Sequence, residues 1–376
     1  METISSETME LCKVAVRSIY DIQKLRIALQ LRIKRLVRDN IMSPEEAKKF
    51  YKIPLGLLKK AEKSMEKIAW NYTKDMPIVK NWLIKIHGIG PRLASLIVAN
   101  IGDISRFPTR GKLYAYAGLH VLHHVELNDG TKFVARKYFE NKDDNRVSFV
   151  VECERWKKYN KELVAQIQLI HNEYFINLKD NTRFTAFNLK ETDIEYEFLV
   201  KSEDHLSHKI TDIKNINTKA VRRNKGVRSN WNTELQVALL GKFSTSIIKL
   251  GGPYRTLFDQ YKSRIIQREV QKGKIIWGTL VGEEKTEDDF ITKKGNKLVA
   301  VHYDPSVKVP DKPPKTPEWT IGHIHNMACR KVATFLLSHI WEVWREMEGL
   351  PTRDPYPIEY QGHTTKIDPW EMITKE

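Results

Sequence analysis

The residues best arranged for chemistry lie in Trp82–Ala99, WLIKIHGIGPRLASLIVA. Gly88-Ile89-Gly90 suits a tight turn, because glycine tolerates dihedrals that other residues avoid and lets another backbone come close. Pro91 suits the first position of a following helix, where no N–H is needed. Ala94 is small enough for two helices to cross closely. The amides of Gly90, Arg92 and Leu93 would then sit at a helix N-terminus, where orphan donors and the helix field together hold a phosphate. Lys85 and Arg92 flank that position, and Ile89 is expected to wedge into the protein core, not between bases. Such a hairpin grips a backbone and reads no sequence.

A second constellation is Lys219–Arg228, where Lys219, Arg222, Arg223, Lys225 and Arg228 occur without an acidic residue. Five cations in ten residues suit phosphate neutralisation, with affinity falling as salt rises. Trp231 beside them could stack on an unpaired base or anchor the helix that starts near Asn232. Lys242, Lys249, Arg255, Lys262 and Arg264 extend the basic stretch. His120, His123, His124, Glu126 and Asp129 include metal-ligand types, but on a strand His123 and Glu126 point to opposite faces. Tyr254, Tyr261, Ser229, Ser244 and Ser246 are nucleophile types near basic residues, with His323, His325 and Arg330 able to stabilise a phosphoryl group once folded together.

These groups need a scaffold, and 376 residues with 41% hydrophobic content supply one. Lys and Arg number 63 against 47 Asp and Glu, a net charge of +16 that points to a polyanionic partner. Three distant cysteines, Cys12, Cys153 and Cys329, support neither a disulfide framework nor a zinc pair. The start METISSETMELCK lacks a secretory core, and no apolar run reaches the roughly 20 residues a bilayer requires. A cytoplasmic protein, nucleoid-associated in a prokaryote, is expected.

Periodicity predicts a long amphipathic helix over Thr8–Asn40 and further helices from Ser43 and over Leu57–Asn71. Ser43-Pro44-Glu45-Glu46 reads as a capping box. Residues 121–139 alternate around Asn128-Asp129-Gly130 and read as a hairpin. A helix is expected over Val150–Phe175, strand over Thr182–Val200, and helices over Asn232–Leu250, Pro253–Lys272 and Ile321–Glu348. Five prolines stiffen Tyr303–Trp319. The expected parts are a helical arm (1–79), the Gly88–Gly90 hairpin (80–120), an inserted α+β segment (121–218), a basic helical part (219–302), a linker (303–319) and a closing helix with tail (320–376).

The string HGIGPRLASLIVANIGDISRFPTRGKLYAYAGL resembles the C-terminal domain of the IS110/IS116/IS902 transposases. In that family a helix-hairpin-helix leads into a helix ending in Gly-Leu, matched here by Gly118-Leu119. Arg222–Asn232 with Leu235 and Leu239, and His325–Trp341 with Ala328, Arg330, Lys331 and Phe335, resemble later pieces of the same domain. The resemblance implies a mainly α fold with an inserted α+β segment around a helix-hairpin-helix DNA-binding core. It implies DNA, duplex or junction, as partner in recombination or transposition, with a homodimer as one arrangement and no membrane. RNA is the competing polymer. The family also resembles a bipartite recombinase, with an N-terminal RNase-H-like domain and a serine nucleophile shortly after Gly-Leu. Here the 80 preceding residues are helical and too few for that domain, His120–Gly130 contains no Ser-Gly, and Gln236 occupies a family arginine position. No catalytic residue is therefore carried over, and Mg2+ or Mn2+ enters only if the chain cuts DNA.

Overall fold

A computed structural model describes residues 6–141, 144–170, 173–180, 183–186, 188–222, 226, 229–280, 297–355, 358–359 and 364–373. The chain divides into a helical unit, Met1–Leu119 with Val227–Glu376, and a β unit, His120–Gly226.

The helical unit begins with α1 (Ser6–Arg38) and α2 (Pro44–Thr73), which pack along each other as an antiparallel pair. Ser43 caps α2: its hydroxyl accepts from the Glu46 amide, and the Glu46 carboxylate accepts from the Ser43 amide, a reciprocal box. After a single turn, α3 (Pro77–Asn81), and a 3-10 turn at Leu83–Lys85 comes α4 (Pro91–Ile101), buried from Leu93 to Ile101 and packed on α1 and α2. Short α5 (Arg110–Tyr116) then leads to the unit's first exit.

The β unit holds β1 (Val121–Leu127), β2 (Lys132–Asn141), β3 (Arg146–Asn160), β4 (Val164–Ile170), β5 (Glu173–Leu178), β6 (Arg183–Ala186), β7 (Asn188–Glu191), β8 (Glu195–Lys209) and β9 (Ile213–Ala220). A six-stranded antiparallel sheet in the order β7-β8-β3-β2-β1-β9 curls as a half-barrel, and β4-β5-β6 form a separate sheet. Strands β3 and β8 pair without a slip from Arg146–Lys209 to Asn160–Glu195. Val125, Leu127, Ala135, Val147 and Phe149 form one core, and Ile176, Leu178, Ala186, Phe198 and Val200 another.

The chain re-enters the helical unit with α6 (Thr233–Val237), a π turn at Ala238–Phe243, α7 (Ser244–Leu250) and α8 (Pro253–Gln271). A hairpin of β10 (Ile276–Leu280) and β11 (Lys297–His302) precedes the proline-rich strap, and α9 (Ile321–Met347) runs through the core.

The expected mainly α fold around a helix-hairpin-helix core is therefore corrected. The inserted segment is built of antiparallel sheets, and the helix expected over Val150–Phe175 is instead β3, β4 and the start of β5. Arg146–Asn160 pairs along its whole length with β8, and that ladder outweighs local helix preference. No helical hairpin surrounds Gly88–Gly90 either. Trp82 leaves helical geometry at φ −137°, ψ −61°, and its buried indole donates to the Pro369 carbonyl at 3.0 Å. The run before the turn is thus anchored core broken into α3 and the 3-10 turn at Leu83–Lys85, and only α4 after it is a continuous helix. Among the described residues, no helix is long and apolar enough to cross a membrane.

Candidate phosphate-binding surface

Two loops of the helical unit meet at the Gly88 turn. Gly88 has φ +92°, and its carbonyl accepts from Ser246 Oγ at 2.6 Å. A Cβ at Gly88 would stand 3.2 Å from that oxygen. Gly252, at φ +93°, packs so tightly on His87 that a Cβ would lie 2.7 Å from the His87 Cβ. The contact brings together two helix starts of one design. Gly90 precedes Pro91 at the head of α4, Gly252 precedes Pro253 at the head of α8, and neither cap residue offers a side-chain acceptor.

The first-turn backbone repeats as well. Leu93 and Ala94 donate to the Gly90 carbonyl at 3.0 Å, while Arg255 and Thr256 donate to Gly252 at 2.9 and 3.2 Å. Arg92 and Tyr254 occupy the next positions, whose amides have no intrahelical acceptor. Helices of 11 and 19 residues thus bring their positive ends to neighbouring loops. The Leu93 amide, expected to face a ligand, turns inward to Gly90. Ser246, a nucleophile type by sequence, instead ties the turn to α7, and Gly252 is marked in the sequence only by the repeated Gly-Pro before a helical run.

The cations serve several purposes. Lys85 is exposed just before the turn, and Ile89 is buried. Arg92 bridges to Glu62 at 3.5 Å and Glu66 at 3.7 Å, and Arg26 shares Glu62 at 2.5 Å, so Arg92 ties α4 to α2. Lys242, on the π turn, lies 3.2 Å above the Tyr20 ring; burial, with Arg92 nearby, draws its amine down to about 8. A π turn inside a helix often marks a functional position. Arg255 pairs with Asp259 and donates to the Ile248 carbonyl, both at 2.6 Å. Lys262 is half-buried; burial first, then Lys262 and Arg255, hold His325 below its ordinary range. Lys219 on β9 and the following Arg222 are exposed in the β unit, whereas Arg223, Lys225 and Arg228 lie outside the described residues. By sequence the β unit carries 19 Lys and Arg against 17 Asp and Glu, so +14 of the net +16 belongs to the helical unit.

Behind the surface, Gly118 centres a polar knot. Its carbonyl accepts from Gln236 Nε2 at 2.8 Å and Arg330 Nη2 at 2.9 Å. The Trp231 indole lies across Gly118 and donates to Gln236 Oε1 at 3.0 Å. Asn232 donates to Asn100 Oδ1 and Tyr116 Oη, each at 3.0 Å. This joins α4, α5, the start of α6 and α9. Residues 80–125 match the Transposase IS116/IS110/IS902 family. That match supports a role in transposition or recombination. No curated protein and no solved structure matches the chain. The transposase-like stretch contains Lys85–Arg92, α4 and Gly118, and stops a hundred residues short of Trp231.

Three of the candidate nucleophiles are held in structural contacts, while the Ser229 hydroxyl is buried without a hydrogen-bond partner among the described residues. Ser244 is buried and donates to the Leu239 carbonyl at 3.2 Å, Ser246 is bonded to Gly88, and Tyr254 is buried against His339 Nδ1 at 2.8 Å. In the β unit His123 Nδ1 meets Thr218 Oγ1 at 3.0 Å, and Glu126 pairs with Lys214 at 3.1 Å. Among the described residues, no three His, Cys, Asp or Glu side chains are grouped to hold a metal.

Proposed function

We propose that the helical unit grips the phosphate backbone of duplex or branched DNA during transposition or recombination. The observation that carries this reading is the meeting of two uncapped Gly-Pro helix starts at His87–Gly90 and Gly252–Pro253, on the unit that bears most of the positive charge. One phosphate oxygen at the head of α4 would take the Gly90 and Arg92 amides, and Lys85 would add charge beside it. A second phosphate would face the head of α8. Lys242, Arg255 and Lys262 raise the local potential, Lys242 while packing on the Tyr20 ring and Arg255 while paired with Asp259. Contacts of this type position a backbone without reading bases. Lys219, Arg222, Arg223, Lys225, Arg228 and Trp231 are proposed to add further contacts as the chain leaves the β unit.

Gly90→Asp tests the reading. A Cβ at Gly90 meets nothing within 4 Å, and the backbone is extended at φ −95°, ψ 178°. Aspartate is a better cap than glycine by roughly a few tenths of a kcal/mol, so the variant should fold at least as well. Its carboxylate would occupy the amides that phosphate needs. Gel shifts on duplex, junction and single-stranded DNA and on RNA should show at least about tenfold weaker DNA binding, roughly 1.4 kcal/mol. Undiminished DNA affinity in a folded variant, or preference for RNA over every DNA form, refutes the proposal. Incubation with Mg2+ or Mn2+ should leave the DNA intact; nicking would establish an enzyme instead.

A further inference from the structure

The far end of the α1–α2 pair carries a slot that the phosphate-binding reading does not use. It measures about 570 Å3 and opens where α2 is least able to fill it. Pro54 lies inside α2, where its ring forgoes a helix hydrogen bond. Gly56 follows, and a Cβ there would meet nothing within 4 Å. Ile33 and Val37 of α1, with Ala47 and Leu55 of α2, make an apolar floor. Lys34, Arg38, Lys48, Lys52 and Lys59 also line the slot, and no acidic residue does. Arg38 pairs with Asp39 at 3.0 Å, while none of the four lysines has a carboxylate partner among the described residues.

This combination selects an occupant. Nucleic acid would satisfy the lysines and leave the floor wet. A second copy presenting the same face would set lysine against lysine. Two packed helices with a groove between them accept a third helix whose apolar side chains enter at i, i+3, i+4 and i+7. We propose that this slot docks an acidic amphipathic helix of a partner protein, its apolar face on Ile33, Val37 and Leu55 and its carboxylates on Lys34, Lys48, Lys52 and Lys59. The proposal is independent of the phosphate-binding surface, so either can fail alone.

The probe is a fluorescein-labelled peptide of about 18 residues, five helical turns, with Leu at i, i+3, i+4, i+7 and onward in the same pattern and Glu elsewhere. Anisotropy with the full chain should give binding in the micromolar range, about −8 kcal/mol. Gly56→Leu fills the slot and replaces a poor helix former, so folding should persist, as a circular dichroism melt would verify. It should weaken the peptide at least about tenfold. The double variant Lys48→Glu, Lys52→Glu should do the same, and a Lys-for-Glu peptide should not bind. Absence of binding, or equal binding by Gly56→Leu, overturns the proposal. So does stronger, Gly56→Leu-sensitive binding to phosphatidylserine vesicles, which would make the occupant a lipid surface. A dimer that Gly56→Leu turns into a monomer would make it a second copy and overturn the proposal equally.

Discussion

Gly118→Ala puts the corner that joins the transposase-like stretch to the later helices under a calculable load. Gly118 has φ +63°, a left-handed conformation that costs an L-residue about 1–2 kcal/mol. The new methyl would stand 2.6 Å from Trp231 Nε1 and 2.7 Å from Gln236 Nε2, inside any tolerable contact. Relieving that overlap moves a partly buried indole, and overpacking of this kind adds about 1–3 kcal/mol. The total is about 2–5 kcal/mol, before the two hydrogen bonds at the Gly118 carbonyl are loosened. Urea unfolding followed by tryptophan fluorescence suits the measurement. Eight of the nine tryptophans belong to the helical unit and Trp156 alone to the β unit, so the signal reports the relevant part without assuming one transition for both. The variant should lower the helical-unit midpoint, and Trp231→Leu should relieve much of the loss when combined with it. A shift under about 0.5 kcal/mol, or full additivity of the two changes, would refute the reasoning about Gly118.

Burial holds His339, whose Nδ1 lies 2.8 Å from the Tyr254 hydroxyl, near 4, against an ordinary value of 6.5. Its folded value is depressed, so the unfolded chain binds more protons between those limits. Stability should fall as pH drops from about 6.5 to 4, by about 3 kcal/mol in all, and His339→Gln should flatten that part of a melting-temperature profile. Arg110 pairs with Glu342 at 2.7 Å, both nearly buried, and its guanidinium lies 4.5 Å from the Trp341 ring centre. Arg110→Met should cost about 3 kcal/mol in urea unfolding, the low end for a broken buried pair, because Lys366 still meets Glu342 at 2.6 Å. For DNA, Lys85→Gln should make the plot of log affinity against log salt shallower by about 0.9 if the lysine neutralises one phosphate. An unchanged slope would remove Lys85 from the contact set.

Legibility in the sequence followed the range of the interactions. The Ser43–Glu46 box spans four residues and was readable, as was the closing helix, expected over Ile321–Glu348 and found at Ile321–Met347. The Val150–Phe175 expectation failed because nothing local reveals that β3 will find fifteen partners in β8 some fifty residues later. The Gly88–Gly90 motif misled for a related reason. Its glycines and proline do start a helix, but the run before them is not the second continuous helix a hairpin needs. The destination of Trp82, a carbonyl at Pro369, decided that the chain leaves helical geometry there.

The candidate site shows the same division of labour. Lys85, Gly88, Gly90 and the basic residues after Asn232 could be marked by type. Which cations remain free to meet a ligand depends on partners the sequence does not place beside them. Glu62 and Glu66 engage Arg92 from another helix, and the Tyr20 ring takes Lys242. The strongest feature of the surface has no charged side chain at its centre. It comes from Gly252 meeting His87 across 165 residues, a contact permitted only because a Cβ is missing there. Each Gly-Pro start alone is an ordinary way to begin a helix. Held together by the Ser246–Gly88 bond, they become neighbouring sites of positive potential, so a phosphate-backbone function would depend on tertiary geometry more than on the local density of lysine and arginine.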